Sequence, residues 1–328
     1  MTRDQLLEKI KARGEPWDII IIGGGATGLG CGVDAASRGY RSVLLERDDF
    51  SQGTSSRSTK LVHGGVRYLQ QGNIALVMEA LHERGILLRN APHLVHNQAF
   101  VVPDYQWWER PFYGIGLKLY DMLAGKLGFG GSRMLSKEKT LKMIPNIEPK
   151  DLRGGVIYYD GQFDDSRLAV TLARTMADLG GLPVNHTGVT ALLKNDEGAV
   201  CGVRAENRLT GEKFTLPGRV VINATGAFVD EIRRMDDPSE AAIIAPSQGI
   251  HLVLDKSFSP GDTAVMVPHT DDGRVIFIVP WHGRVLVGTT DIALEKAVAE
   301  PSATRGEIDF LLKHAARYLT RDPSKKDI

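Results

Sequence analysis

Gly23, Gly25 and Gly28 follow the apolar run Asp18-Ile-Ile-Ile-Ile22 at the spacing Gly-x-Gly-x-x-Gly, which suits a dinucleotide. Gly23 permits a tight turn, Gly25 lets the backbone approach a pyrophosphate, and Gly28 lets the next helix lie close on its strand. That helix directs its free N–H groups at the phosphates. A second apolar run, Ser42 to Leu45, ends on Glu46, 18 residues after Gly28. A carboxylate there can accept the hydrogen bonds of an adenosine ribose.

The stretch after Glu46 bears on which dinucleotide this is. A nicotinamide cofactor needs only the glycine turn and the acid, whereas a flavin dinucleotide needs a second polar surface. Thr54-Ser55-Ser56-Arg57-Ser58-Thr59-Lys60 offers hydroxyls, backbone N–H groups and cations. A solvated surface loop is the competing reading; its place between the acid and the next motif favours a cofactor-facing role. That motif is Leu61-Val62-His63-Gly64-Gly65-Val66-Arg67-Tyr68-Leu69. Two glycines between a His and an Arg-Tyr pair suit close approach to a flat ring, with Arg67 presenting a fixed fork to a phosphate or carboxylate. Thr289-Thr290-Asp291 ends a strand on three polar groups, so Thr290 is a further candidate beside the plain strand-ending turn.

The elements that must position these residues are readable in outline. Asn73 predicts a helix cap before Ile74 to about Arg89, with Pro92 beyond its end. Residues 99–150 are expected to be less regular, broken by Pro103, Pro111, Pro145 and Pro149. Asp165 or Ser166 opens a helix with Leu168, Leu172, Met176 and Leu179 on its apolar face, ended by Gly180-Gly181. Val189–Leu193, Val200–Ala205 and Lys213–Leu216 read as a meander, followed by a separate apolar strand Val220–Ile222 and the turn Asn223-Ala224-Thr225-Gly226. From residue 250 the pattern is β again, at His251–Leu254, Ala264–Val267, Val275–Val279 and Arg284–Gly288. Thr304 with Glu307 predicts a capping box, with Ile308, Leu311, Leu312 and Ala315 on the buried face. The fold class is α/β: a nucleotide domain in discontinuous pieces, with a β-rich domain inserted between them.

Composition narrows the functional classes. The 328 residues are 42% hydrophobic, and 40 basic residues balance 40 acidic ones, so no global field argues for nucleic acid. The two cysteines, Cys31 and Cys201, read as small apolar residues rather than a disulfide, and a cytoplasmic location is expected. The polar segment Met1 to Glu15 has no apolar core of a secretory signal. Trp107-Trp108-Glu-Arg-Pro-Phe-Tyr113 and Ile115 to Leu123 leave two readings open, a helix packed on its own protein or a surface lying in a headgroup layer. No metal set is assigned.

Together, Gly23-Gly-Gly25-Ala-Thr-Gly28, the run Thr54 to Leu69 and Asn223-Ala-Thr-Gly226 resemble the FAD-dependent glycerol-3-phosphate dehydrogenases, within the D-amino-acid-oxidase-like flavoproteins. Val275-Ile-Phe-Ile-Val-Pro-Trp281 and Val287-Gly-Thr-Thr-Asp291 are similar too. The resemblance implies a Rossmann-like FAD-binding domain of the glutathione-reductase type, with an inserted antiparallel, β-rich substrate domain. It divides the chain into 16–98 (FAD domain, first part), 99–155 (substrate- or membrane-facing segment), 156–230 (FAD domain, second part with the meander) and 231–328 (substrate domain).

The activity it implies is oxidation of sn-glycerol 3-phosphate to dihydroxyacetone phosphate, with FAD as cofactor and a membrane quinone as acceptor. The protein would then sit peripherally on the inner face of the cytoplasmic membrane. Arg67 and Tyr68 fall at the substrate, and Thr54, Ser55, Ser58, Lys60, Leu61 and His63 along the flavin. Val189 touches the adenine side, and Ala224 and Gly226 let a turn approach the cofactor. His251 is the candidate acceptor for the C2 hydroxyl proton, since an imidazole titrates near neutrality. The alternative is a His that merely satisfies a hydrogen bond at a strand end.

The family continues beyond the position of Ile328 with a Gly-x-Arg-Pro strand, a Gly-Lys-x-x-Thr segment and usually a helical domain. Neither segment has a match here, so the expectation is a partial sequence whose activity belongs to a longer protein. An oxidase using oxygen, a flavin-binding fragment without turnover and a nicotinamide dehydrogenase are the competing readings.

Overall fold

The computed structural model describes residues 2–328, the side chains of Arg67, Gln70 and Lys126 excepted. Helix α1 (Arg3–Lys11) precedes strand β1 (Trp17–Ile22), helix α2 (Ala26–Ser37) and strand β2 (Ser42–Leu45). Then come β3 (Leu61–Val62), α3 (Val66–Gln70), α4 (Ile74–Asn90), β4 (Val95–Asp104), α5 (Glu109–Ala124), β5 (Arg133–Ser136), α6 (Lys137–Met143) and β6 (Gly154–Phe163). Helix α7 (Asp165–Asp178) leads into β7 (Leu182–Val184), β8 (Thr187–Lys194), β9 (Val200–Asn207), β10 (Lys213–Asn223) and α8 (Val229–Asp236). The chain closes with β11 (Ser247–Gln248), β12 (His251–Asp255), β13 (Ala264–Val267), β14 (Ile276–Trp281), β15 (Arg284–Gly288), β16 (Ile292–Ala293) and α9 (Arg305–Ala316).

Two units interleave along the chain. The first comprises Met1–Ser58, Asp165–Pro246 and Leu294–Ala299, and the second Thr59–Asp164, Ser247–Ala293 and Glu300–Ile328. These divisions differ from those expected at residues 98, 155 and 230. The reason is packing: β3 and β4 pair with β6, and Val77 and Leu81 of α4 bury against Phe100 and Val102, so all of them belong with the second unit. Asp165 starts α7, whose Ala169, Ala173 and Met176 pack in the first unit with Leu29 and Ala36 of α2.

The first unit is built on a six-stranded sheet in the order β7-β2-β1-β10-β9-β8. Strands β7, β2, β1 and β10 run parallel, and β9 and β8 are antiparallel additions. Strand β1 is apolar on both faces because both are covered. Ile20 and Ile22 join Leu6, Leu7 and Ile10 of α1, and Ile21 joins Leu29, Ala169 and Met176 on the opposite side. This is the Rossmann-like arrangement.

Two local expectations are corrected in this unit. Lys213–Asn223 is one 11-residue strand rather than a meander strand and a separate apolar one. It is antiparallel to β9 over Lys213–Pro217 and parallel to β1 over Gly218–Asn223, so it changes partner beside Pro217, which has no N–H to offer a ladder. On α7 the buried face is Ala169, Ala173 and Met176, while Leu179 is exposed. Helix α2 approaches so closely that a Cβ on Gly32 would lie 2.4 Å from Met176 Sδ, which leaves no room for leucines at the contact.

The second unit carries an eight-stranded sheet, β12-β15-β14-β13-β4-β6-β3, with β5 also paired to β6. All its pairs are antiparallel except β13 with β4. Val101 of β4 faces one core and Phe100 and Val102 the other. Residues 99–150 are more regular than expected. Pro103 lies at the end of β4, and Pro111 sits in the first turn of α5, where its missing N–H costs no helical hydrogen bond.

Helix α5 has two apolar faces. Tyr113, Leu117, Tyr120 and Ala124 are buried, while Trp108, Phe112, Ile115, Leu119 and Met122 form an exposed row at helical spacing. Asn73 caps α4 through Leu76 N–H, and α9 has its Thr304–Glu307 capping box, with Leu311, Leu312 and Ala315 buried. Among the described residues, no helix is long and apolar enough to cross a membrane.

Candidate functional site

In the first unit the glycine turn closes with no room for side chains. Gly23 has φ +108°, and a Cβ there would lie 2.5 Å from Ala224 O; one on Gly28 would lie 2.0 Å from Gly23 O. The ends of β1 and β10 and the first turn of α2 therefore meet backbone to backbone. Glu46 braces this turn: Oε2 accepts from Gly24 N–H at 2.6 Å and Oε1 from Asp48 N–H at 2.7 Å. Each oxygen keeps another lone pair for a ribose hydroxyl.

Helix α2 starts at Gly25 with no side-chain cap, and Ser55 Oγ accepts from Ala26 N–H at 2.9 Å. The positive end of a helix, bare glycine backbone and a hydroxyl thus converge at one spot, which fits a pyrophosphate.

The remaining first-unit candidates divide by role. Thr54 is exposed and opens a half-buried 3-10 turn, Thr54–Ser56. Ser58 Oγ donates to Asp165 Oδ2 at 2.7 Å, tying the loop to the start of α7. Val189 is the third residue of β8, where a bulge interrupts pairing between Val189 and Ala191. Ala224 N–H donates to Ile22 O at 2.9 Å, and Gly226 has φ +58°. Asn223, read from sequence as the first residue of that turn but not as a site residue, holds it: its amide donates to Val229 O at 2.9 Å, and its carbonyl accepts from the Thr225 hydroxyl at 2.7 Å.

In the second unit Lys60 adopts φ +62°, its carbonyl accepting from Phe163 N–H at 3.0 Å, and Leu61 pairs with Gln162. His63 Nδ1 accepts from Gly65 N–H at 3.0 Å, so the neutral ring carries its proton on Nε2. Tyr68 packs on Gly65, where a Cβ would fall 2.6 Å from its Cδ2. The backbone of Arg67 lies in α3, while its side chain is outside the described residues.

A row across the sheet organises the rest. Phe277 of β14, Gly288 of β15 and His251 of β12 are successive register partners. The His63 and Phe277 ring centroids are 6.4 Å apart, and the His251 ring lies over bare Gly288. His251 Nε2 is 2.8 Å from Thr59 Oγ1. Sequence reasoning missed Thr59, Phe277 and Gly288 as a group, because strand register joins Phe277 and Gly288 to His251 and a long-range hydrogen bond joins Thr59 to it.

Thr290 lies buried just past the end of β15. Its buried hydroxyl donates to Glu307 Oε1 at 2.9 Å and accepts from Ile250 N–H at 2.9 Å, so it ties α9 to the residue preceding β12 and its proton is engaged. Burial pushes the Glu307 carboxyl up, but hydrogen bonds from Thr304, Thr290 and Gln248 outweigh it and hold the group below its ordinary range.

The family model described as FAD dependent oxidoreductase matches residues 18–328. The chain belongs to that family. FAD is therefore the cofactor of the family to which the chain belongs. Within this FAD-dependent family, the mitochondrial glycerol-3-phosphate dehydrogenase of Homo sapiens is 44% identical over 318 residues, 93% of this chain and 44% of that protein. The corresponding protein of Arabidopsis thaliana is 43% identical over 326 residues, covering 96% and 52%. The glycerol-3-phosphate dehydrogenase of Bacillus halodurans, solved in complex with FAD, superposes with a TM-score of 0.81 at 32% identity, covering 99% of this chain and 57% of that one. The chain thus spans about half the length of the curated relatives it matches.

Proposed function

We propose that this chain carries the flavin-binding and substrate-facing portion of a dehydrogenase that oxidises sn-glycerol 3-phosphate to dihydroxyacetone phosphate. The observation that carries this reading is His251, seated over Gly288 with Nε2 2.8 Å from Thr59 Oγ1. Relatives named glycerol-3-phosphate dehydrogenase, 44% identical over 318 residues, support the choice of substrate.

His251 takes the C2 hydroxyl proton, and Thr59 fixes the ring that takes it. Arg67 holds the phosphate dianion as a bidentate fork, with the Tyr68 hydroxyl beside it. FAD, when bound, supplies the two-electron acceptor for the C2 hydride. Glu46 orients the adenosine end, and Ser55 with the α2 N-terminus holds the pyrophosphate.

A membrane quinone receives the electrons in this proposal, at a peripheral membrane surface. The exposed row Trp108, Phe112, Ile115, Leu119 and Met122 on α5 supports that placement. Two assays test the proposal. Glycerol 3-phosphate should reduce a quinone analogue with stoichiometric dihydroxyacetone phosphate, and oxygen uptake with peroxide formation in its place would move the assignment to an oxidase. The protein should co-sediment with liposomes, and a folded, flavin-loaded protein left in the supernatant would remove the membrane proposal.

A further inference from the structure

The Gly64-Gly65 pair is held from behind by a buried polar chain lying outside the proposed chemistry. Gly64 N–H donates to Tyr120 Oη at 2.7 Å, and Tyr120 Oη donates to Asp160 Oδ2 at 2.7 Å. Asp160 Oδ1 accepts from Arg84 Nη1 at 2.6 Å, and the Arg84 guanidinium lies 4.2 Å from the centre of the Phe129 ring. Arg84, Tyr120 and Asp160 are all fully or almost fully buried.

The direction of the chain is fixed by chemistry. An amide N–H can only donate, so the phenol oxygen accepts from Gly64 and sends its own proton to the carboxylate. The other oxygen of that carboxylate accepts from the Arg84 guanidinium, so both ends of the chain are held. Burial and the Asp160 charge both push the Tyr120 phenol well above its ordinary range, so it stays protonated and able to bridge.

The contact also explains the residue at 64. A Cβ there would lie 2.5 Å from both Tyr120 Oη and Leu81 Cδ2, so only glycine lets the chain pass this wall. Gly65 then turns through φ +68°, and α3, which carries Arg67 and Tyr68, begins at the next residue.

We propose that Tyr120, its hydroxyl oriented by the Arg84–Asp160 pair, is a positioning residue that anchors the Gly64 amide and so fixes the start of α3. Its bearing on substrate grip rests on the function proposed above; its bearing on the loop does not. The His63–Gly65 hydrogen bond stays within the segment, whereas the Gly64–Tyr120 hydrogen bond crosses to α5. Tyr120 thus adds a buried polar tie to the core beside the packing of Val66 and Leu69.

The test uses Tyr120→Phe, which keeps the ring and removes only the bridging hydroxyl. Hydrogen exchange is followed by mass spectrometry across residues 61–70, with FAD content and KM for glycerol 3-phosphate measured on the same protein. The expected result is roughly tenfold faster exchange in that segment and a KM raised about tenfold, at unchanged FAD content. Unchanged exchange in 61–70 would overturn the proposal. Loss of glycerol 3-phosphate turnover in the wild type would sink the proposed function alone, because exchange still reads the anchor. Should the variant not fold, the wild-type Gly64 amide decides: protection supports the anchor, and exchange at the free-peptide rate overturns it.

Discussion

The imidazole of His251 occupies the space that Gly288 leaves open: a Cβ built on Gly288 would fall 2.3 Å from His251 Cδ2. The two residues are register partners on β12 and β15, so the strand pairing itself puts ring over glycine. Gly288→Ala should push the ring off its seat and away from Thr59. We expect flavin reduction by glycerol 3-phosphate to slow by about 10² or more while FAD stays bound, a loss typical of a misplaced general base. Stopped-flow measurement at the flavin band checks it, and wild-type rates in the variant would detach Gly288 from the chemistry. His251→Ala should slow the same step, and an unchanged rate there would remove His251 from the mechanism.

Two glycines on the same helix should behave oppositely. A Cβ on Gly28 would lie 2.0 Å from Gly23 O, whereas nothing lies within 4 Å of one on Gly30. Gly28→Ala should lose FAD, read as a missing flavin band in the purified protein. Gly30→Ala should retain it and stabilise the fold by about 0.5–1 kcal/mol through helix propensity.

How much of this could be read from residues alone depended on the range of the interaction. The glycine turn, the Asn73 cap and the Thr304–Glu307 box are local, each set by chemistry within a few positions. The two-partner strand Lys213–Asn223 was missed because Pro217 looks like a terminator until β9 and β1 are both beside it. The alanine face of α7 was missed because leucines satisfy the periodicity equally well, and only the close approach of Gly32 to Met176 selects the smaller residues. Thr290 read as a site residue because its strand-end position is visible in sequence, while its partner Glu307 is 17 positions away in a helix. Nothing local joins Gly64 to Tyr120 or Thr59 to His251.

Thr290 accordingly carries a stability prediction. Thr290→Val keeps the shape but strands Glu307 Oε1 and Ile250 N–H, and it should cost about 1–3 kcal/mol in denaturant unfolding. Flavin reduction at saturating substrate should be unchanged below the unfolding transition. A rate loss without a stability loss would return Thr290 to the chemistry.

Asp104 gives the fold a pH dependence. Burial pushes its carboxyl up to about 6, with the Glu109 charge adding and Arg110 opposing. Among the described residues neither carboxylate oxygen has a hydrogen-bond partner. The folded-state value lies above the ordinary one, so the protonated form belongs to the fold. Its stabilising contribution is complete below about pH 4 and is lost as the pH rises through about 6. Asp104→Asn should therefore gain about 2 kcal/mol over wild type at pH 8, with the gain fading towards pH 4. Parallel stability curves for the two proteins across that range would contradict the assignment.

Anaerobic titration of the FAD-loaded protein with glycerol 3-phosphate, followed at the visible flavin band, tests the central claim most directly. The account predicts bleaching with one equivalent of dihydroxyacetone phosphate formed per flavin. A yellow protein that stays yellow through excess substrate would contradict it.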